Sequence, residues 1–311
     1  MSTTQTAAPV SPAAGPASAY RQVAATGVST AFGTFGELLQ GVLPEEDGNF
    51  LVTLPVARWS MARFEVDTDR PDLEVWPPHK KKALKLTSMI LEDEGRPAGG
   101  LLRIDSTLPE GKGLASSSAD LVATARAVAN ALAVPMPPRR IESYLARIEP
   151  TDGVLYPAIV AFHHRSVRLR ASLGSLPSMA VVGVDEGGAV DTVAFNAIPK
   201  PFTEADKQEY ARLLDRVTRA VAARDLAEAG RVATASARMN QVLRRKWSLE
   251  PMIAICEEVG GLGVVVGHSG TTLGILMDTG APDCPARLAA AAQLCQELAG
   301  NVTVYQTLSF H

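Results

Sequence analysis

The chain has 311 residues, 46% hydrophobic and 20% charged, with a net charge of −3. That is enough for one large domain or two smaller ones. It lacks the basic surplus of a nucleic-acid binder, and its 5% aromatic content offers few platforms for base stacking. No apolar run approaches the roughly twenty residues that a membrane-spanning helix needs, so neither nucleic acid nor membrane is an expected partner.

Residues 1–27 read as a disordered tail. The first twenty are uncharged and rich in Ala, Pro, Ser and Thr, and Pro9, Pro12 and Pro16 interrupt any secretory signal core. Residues 50–66 are rich in β-branched and aromatic side chains and predict two strands. Residues 79–94 predict a surface helix. Its Lys80–Lys82 run reads as a solvated helix face, with anion steering as the alternative. A strand is expected over 101–108, a long Ala-rich helix over 117–132, a second helix over 139–149 and a half-exposed strand over 165–171.

The second half, from a boundary near residue 175, predicts a strand at 178–185, two helices within 203–246 and a shorter one at 250–258. Strands at 263–267 and 273–278, a helix at 284–298 and a strand at 301–307 complete it. This β-α-α-β-β-α-β order fits a ferredoxin-like layer and an α+β class. Cys256, Cys284 and Cys295 are too scattered for a disulfide framework or a zinc site and read as reduced, buried thiols of a cytoplasmic protein. His163 and His164 are adjacent, so their side chains diverge and do not form a metal pair.

The stretch richest in chemistry is Pro109-Glu110-Gly111-Lys112-Gly113-Leu114-Ala115-Ser116-Ser117-Ser118-Ala119-Asp120. It follows a predicted strand and opens a predicted helix. Gly111 and Gly113 permit a tight turn and close backbone approach. Ser116, Ser117 and Ser118 fall where a helix N-terminus favours an anion. The pattern suggests a phosphate cradle; a serine-capped helix after a glycine turn is the alternative. It is not a Walker A loop, because Lys112 precedes Gly113.

This segment resembles the central motif of the GHMP kinases, the superfamily of galactokinase, homoserine kinase and mevalonate kinase. Ala31-Phe32-Gly33-Thr34-Phe35-Gly36-Glu37-Leu38-Leu39-Gln40-Gly41 is similar to the family's N-terminal substrate motif. Gly267-His268-Ser269-Gly270-Thr271-Thr272-Leu273-Gly274 is similar to its C-terminal motif. With Glu149-Pro150-Thr151-Asp152-Gly153, the set looks most like the L-threonine kinase branch associated with cobalamin biosynthesis. The resemblance implies a ribosomal-S5-like N-terminal domain (28–175) and a ferredoxin-like C-terminal domain (176–311). It also implies ATP and Mg²⁺ as cofactors and a small amino-acid substrate, in a monomer or homodimer.

The same resemblance implies ATP binding by Pro109 to Ser118 and a base at Asp152, with substrate orientation or a plain turn as alternative roles for that carboxylate. It makes Ser117 a Mg²⁺ ligand, with Ser116 and Ser118 as alternatives and Glu149 or Glu142 completing the site. Lys112 can meet a phosphate as a point charge. Gly36 and Glu37 are candidates for the substrate ammonium, and Thr151, His268, Ser269 and Gly270 for the rest of the substrate pocket. The implied reaction is phosphorylation of the L-threonine side-chain hydroxyl. L-serine or L-homoserine is an alternative substrate, and a non-catalytic metabolite-binding regulator is the alternative from another class.

Overall fold

The computed structural model describes residues 25–67, 72–96, 99–188, 198 and 200–310. The tail expected over 1–27 lies outside these residues except for its last three, which already belong to the first strand. β1 (Ala25–Val42) and β2 (Asn49–Val66) form a long antiparallel pair, in register from Ala25 opposite Val66 to Val42 opposite Asn49. The register shifts at three places between Phe32 and Leu39. Such bulges bend a strand and re-aim its side chains.

The two strands expected within 50–66 are therefore one. β2 bends without breaking, and Pro55 sits beside a register shift, where its missing N–H interrupts little. β3 (Leu73–Trp76) runs parallel to β4 (Gly100–Ser106), joined through α1 (Lys81–Asp93). α2 (Ser116–Leu132) lies against β1 and buries thirteen residues. The approach is so close that a Cβ on Gly27 would stand 2.0 Å from the Ala127 carbonyl oxygen. α3 (Pro138–Leu145) follows, then the hairpin β5 (Ile159–His163) and β6 (Arg168–Gly174). β5 was not legible in the sequence; it pairs with β2 through Leu51 and Phe162.

The second half runs β7 (Met179–Asp185), α4 (Glu204–Ala223), α5 (Leu226–Met239), α6 (Leu249–Glu258), β8 (Gly263–Val266), β9 (Thr272–Asp278), α7 (Cys284–Ala299) and β10 (Val302–Gln306). A capping box between Thr203 and Asp206 starts α4, and Asp225 caps α5. The spatial order β10-β7-β9-β8 is that of a ferredoxin-like layer.

β8 then meets β1 at Val266 and Glu37, so one sheet of order β10-β7-β9-β8-β1-β2-β4-β3 runs through both halves. The chain end reinforces the join: Leu308 N–H donates to the Pro55 carbonyl at 2.9 Å. Cys256, Cys284 and Cys295 are free and buried. Among the described residues no helix is long and apolar enough to cross a membrane.

Candidate active site

Three chain segments stack to build one site. The Gly111–Ala115 loop connects β4 to α2 and turns through left-handed backbone at Gly111 (φ 69°), Gly113 (φ 84°) and Ala115 (φ 56°). β1 supports one side: Gly36 N–H donates to the Gly113 carbonyl at 3.0 Å and Thr34 N–H to the Leu114 carbonyl at 3.2 Å. The 267–271 turn between β8 and β9 packs on the other side. A Cβ on Gly270 would stand 2.2 Å from the Lys112 carbonyl oxygen, and Thr272 Oγ1 donates to that same oxygen at 2.8 Å. Lys246, buried on the segment after α5, donates to the Gly270 carbonyl at 2.6 Å. Burial brings its pKa down to about 8.

The loop opens onto a cavity of about 450 Å³. The start of α2 faces it, with N–H groups that have no preceding turn to donate to. Ser116, Ser117 and Ser118 line it together with Glu149, Thr151, Asp152, Glu37 and Ser269. Ser117 Oγ donates to Glu149 Oε1, and Lys82 Nζ donates to Glu149 Oε2. The expected metal pair is therefore in contact. A hydroxyl beside a carboxylate is a hard-oxygen donor set that suits Mg²⁺. The other carboxylate considered, Glu142, faces elsewhere; it accepts from Tyr156 OH and Leu169 N–H, each at 2.8 Å.

Asp152 lies beside the first turn of α2. Its N–H donates to Ser118 Oγ at 3.1 Å, and Ser118 Oγ lies 3.3 Å from Asp152 Oδ2. Burial, with repulsion from Glu37 and Glu149, pushes the Asp152 carboxyl up to about 7, against the Ser118 hydrogen bond. Thr151 is fully buried and spans the turn, its hydroxyl on the Glu149 carbonyl at 3.0 Å. Glu37 is buried on the bulged part of β1. His268 holds it through N–H (3.2 Å) and Nδ1 (2.6 Å), and His268 Nε2 reaches Ser236 Oγ at 3.3 Å.

Two sequence expectations need correction. Lys112 turns away from the cavity, toward Asp185 Oδ2 and the Gly188 carbonyl, each at 2.6 Å. Pro109 likewise lines a second depression on that side. Within the Lys80–Lys82 run, Lys81 and Lys82 are exposed as expected of a solvated face, whereas Lys80 is half-buried. Lys80 reaches over the cavity mouth to Glu110 Oε1 (2.5 Å) and Asp120 Oδ2 (2.6 Å), and Ser60 holds the other Asp120 oxygen at 2.6 Å. Burial opposes the Lys80 charge, but these hydrogen bonds outweigh it and hold its pKa above the usual lysine value. The only sequence signal for Lys80 and Lys82 was the basic run itself.

Residues 81–159 match the family model described as the GHMP kinases N terminal domain. An L-threonine kinase from Citrobacter freundii is 28% identical over 249 residues, spanning 78% of this chain and 83% of that protein. An L-threonine kinase from Salmonella typhimurium is 26% identical over 249 residues, spanning 78% and 80%. Among solved structures, a homoserine kinase from Cytophaga hutchinsonii superposes with a TM-score of 0.69 at 15% identity, covering 91% of this chain and 95% of that one.

Proposed function

We propose that the chain is an ATP-dependent small-molecule kinase of the GHMP type and that it phosphorylates the side-chain hydroxyl of L-threonine. The observation that carries this reading is the junction of Asp152 with the first turn of α2. A potential proton acceptor stands beside a potential phosphate site, and Ser118 ties the two together. The similarity to two L-threonine kinases over 78% of the chain supports the choice of substrate.

In this reading the N–H groups at the start of α2 and the Gly111–Ala115 backbone receive the phosphates. Lys80 and Lys82 supply positive charge at the cavity mouth, the part expected of Lys112. Ser117 and Glu149 are the residues that would hold Mg²⁺, which would supply positive charge against the negative charge developing on the transferred phosphoryl group. Asp152 takes the proton from the attacking hydroxyl. With a pKa near 7 it is ionised at mildly alkaline pH and basic enough to accept a proton. Glu37, fixed by His268, draws the substrate ammonium. The rest of the rate comes from positioning.

The test is initial ADP release from Mg-ATP with L-threonine, L-serine, L-homoserine and their D forms. The expected result is the highest kcat/KM for L-threonine. A preference for another member moves the substrate, and silence across the panel with ATP still bound contradicts the reading.

A further inference from the structure

Two polar side chains in the cavity have no part in the chemistry described so far. Gln40, on β1, is 7% exposed. Its backbone is fully engaged, N–H on Ser236 Oγ at 3.1 Å and carbonyl on Asn240 Nδ2 at 2.7 Å. Its side-chain oxygen Oε1 is buried with no hydrogen-bond partner among the described residues. His164, just after β5, is 3% exposed. Its carbonyl accepts from Thr151 N–H at 3.0 Å, yet neither ring nitrogen has a partner among the described residues. Both side chains line the cavity that holds Glu37 and Asp152. Buried polar atoms in folded proteins nearly always find a partner. Three orphans on one cavity wall make a set that a polar ligand would complete.

The sheet explains why they meet. Gln40 pairs with Leu51 of β2, and Leu51 pairs with Phe162 of β5, two residues before His164. The two side chains therefore flank β2. Their hydrogen-bonding capacities differ. Gln40 lies three residues from Glu37, whose carboxylate repels that of Asp152; that side favours a cation. His164 is opposed in taking a proton first by burial and then by Arg165 and Lys200, which bring its pKa down to about 3. The ring is thus neutral, with one N–H to donate.

We propose that Gln40 Oε1 accepts a hydrogen bond from the substrate's α-ammonium and His164 donates one to its α-carboxylate, so that the pair selects a zwitterionic amino acid over a simple alcohol. The proposal rests on the reading that the phosphoryl acceptor is a hydroxy amino acid. Each contact involves a charged partner, and losing one such hydrogen bond weakens binding by about tenfold or more.

The experiment measures steady-state kinetics for the wild type and for Gln40→Leu, Gln40→Glu, His164→Leu and His164→Asn, with thermal melts to confirm folding. Each Leu variant is expected to raise KM for L-threonine about tenfold or more, with KM for ATP held within about twofold. Gln40→Glu keeps an acceptor and His164→Asn keeps a donor, so both recover much of the loss.

Competition against L-threonine assigns the two ends. (R)-3-hydroxybutyrate, which lacks the ammonium, is expected to inhibit wild type and Gln40→Leu equally. (R)-1-amino-2-propanol, which lacks the carboxylate, is expected to inhibit wild type and His164→Leu equally. Should a Leu variant not fold, the wild type alone remains a test, since each truncated compound must bind about tenfold or more weakly than L-threonine. Unchanged KM in both Leu variants, or truncated compounds that bind the wild type as well as L-threonine does, would overturn the proposal and leave the reaction standing. A wild type that ignores L-threonine and phosphorylates simple alcohols would overturn the reading of the reaction, and this assignment with it.

Discussion

Asp152 is held where its charge is disfavoured, buried in the cavity wall beside Glu37 and Glu149. The free enzyme should therefore lose kcat/KM as pH falls below about 7, because protonated Asp152 cannot accept the hydroxyl proton. Replacing Asp152 with Asn is expected to cut kcat by about 10²-fold or more and to remove that acid limb, with ATP affinity little changed. A pH–rate series on both proteins checks this, and a variant with near-wild-type kcat would take the base role away from Asp152. Asp152, Ser117 and Glu149 were named through the motifs, with Ser116 and Ser118 beside Ser117 and Glu142 beside Glu149 as alternatives. Lys112 was legible as a residue and not as a direction: a glycine-flanked turn lets its side chain leave on either side, and Asp185 captures it. Gln40 lies within the N-terminal motif without standing out in it, and His164 lies in no motif; their significance lies in orphaned atoms that only packing reveals.

The elements matter through their contacts across the chain. The phosphate-loop backbone is clamped between β1 and the 267–271 turn, and Gly270 sits where even a methyl group meets the Lys112 carbonyl. A Gly270→Ala substitution is expected to push the loop off its seat, lowering stability by about 1–3 kcal/mol and kcat/KM by about tenfold or more. Urea denaturation and steady-state kinetics read the two effects. A variant equal to wild type in both would show that the turn gives way freely. The helices of the second half were legible in the sequence, and the structure adds the caps at Thr203 and Asp225. β1 was read as a motif and not as a strand, because its glycines and bulges erase the two-residue alternation. β5 is buried throughout, and so short a run of five residues carries no period at all.

At the scale of the molecule, one sheet holds both halves. The order of elements made the ferredoxin-like half readable; the pairing of β8 with β1, through the single partners Val266 and Glu37, was not. The raised Asp152 pKa has a consequence for stability. Between about pH 4 and 7 the unfolded chain has released the Asp152 proton and the folded chain has not, so stability falls as pH rises through that window. Above pH 7 the ionised group leaves the free enzyme less stable than it would otherwise be. Asp152→Asn is therefore expected to melt at a higher temperature than wild type at pH 8, with the gap closing near pH 4. Equal melting temperatures at pH 8 would contradict the placement of a strained carboxylate in the cavity.

The most direct measurement on the central claim is ³¹P NMR of the product formed from Mg-ATP and L-threonine. Transfer to the side-chain oxygen is expected to give a phosphate monoester resonance, split by the single Cβ proton and growing in step with ADP. ADP accompanied only by inorganic phosphate, an unsplit acyl phosphate signal, or no product at all would contradict the account.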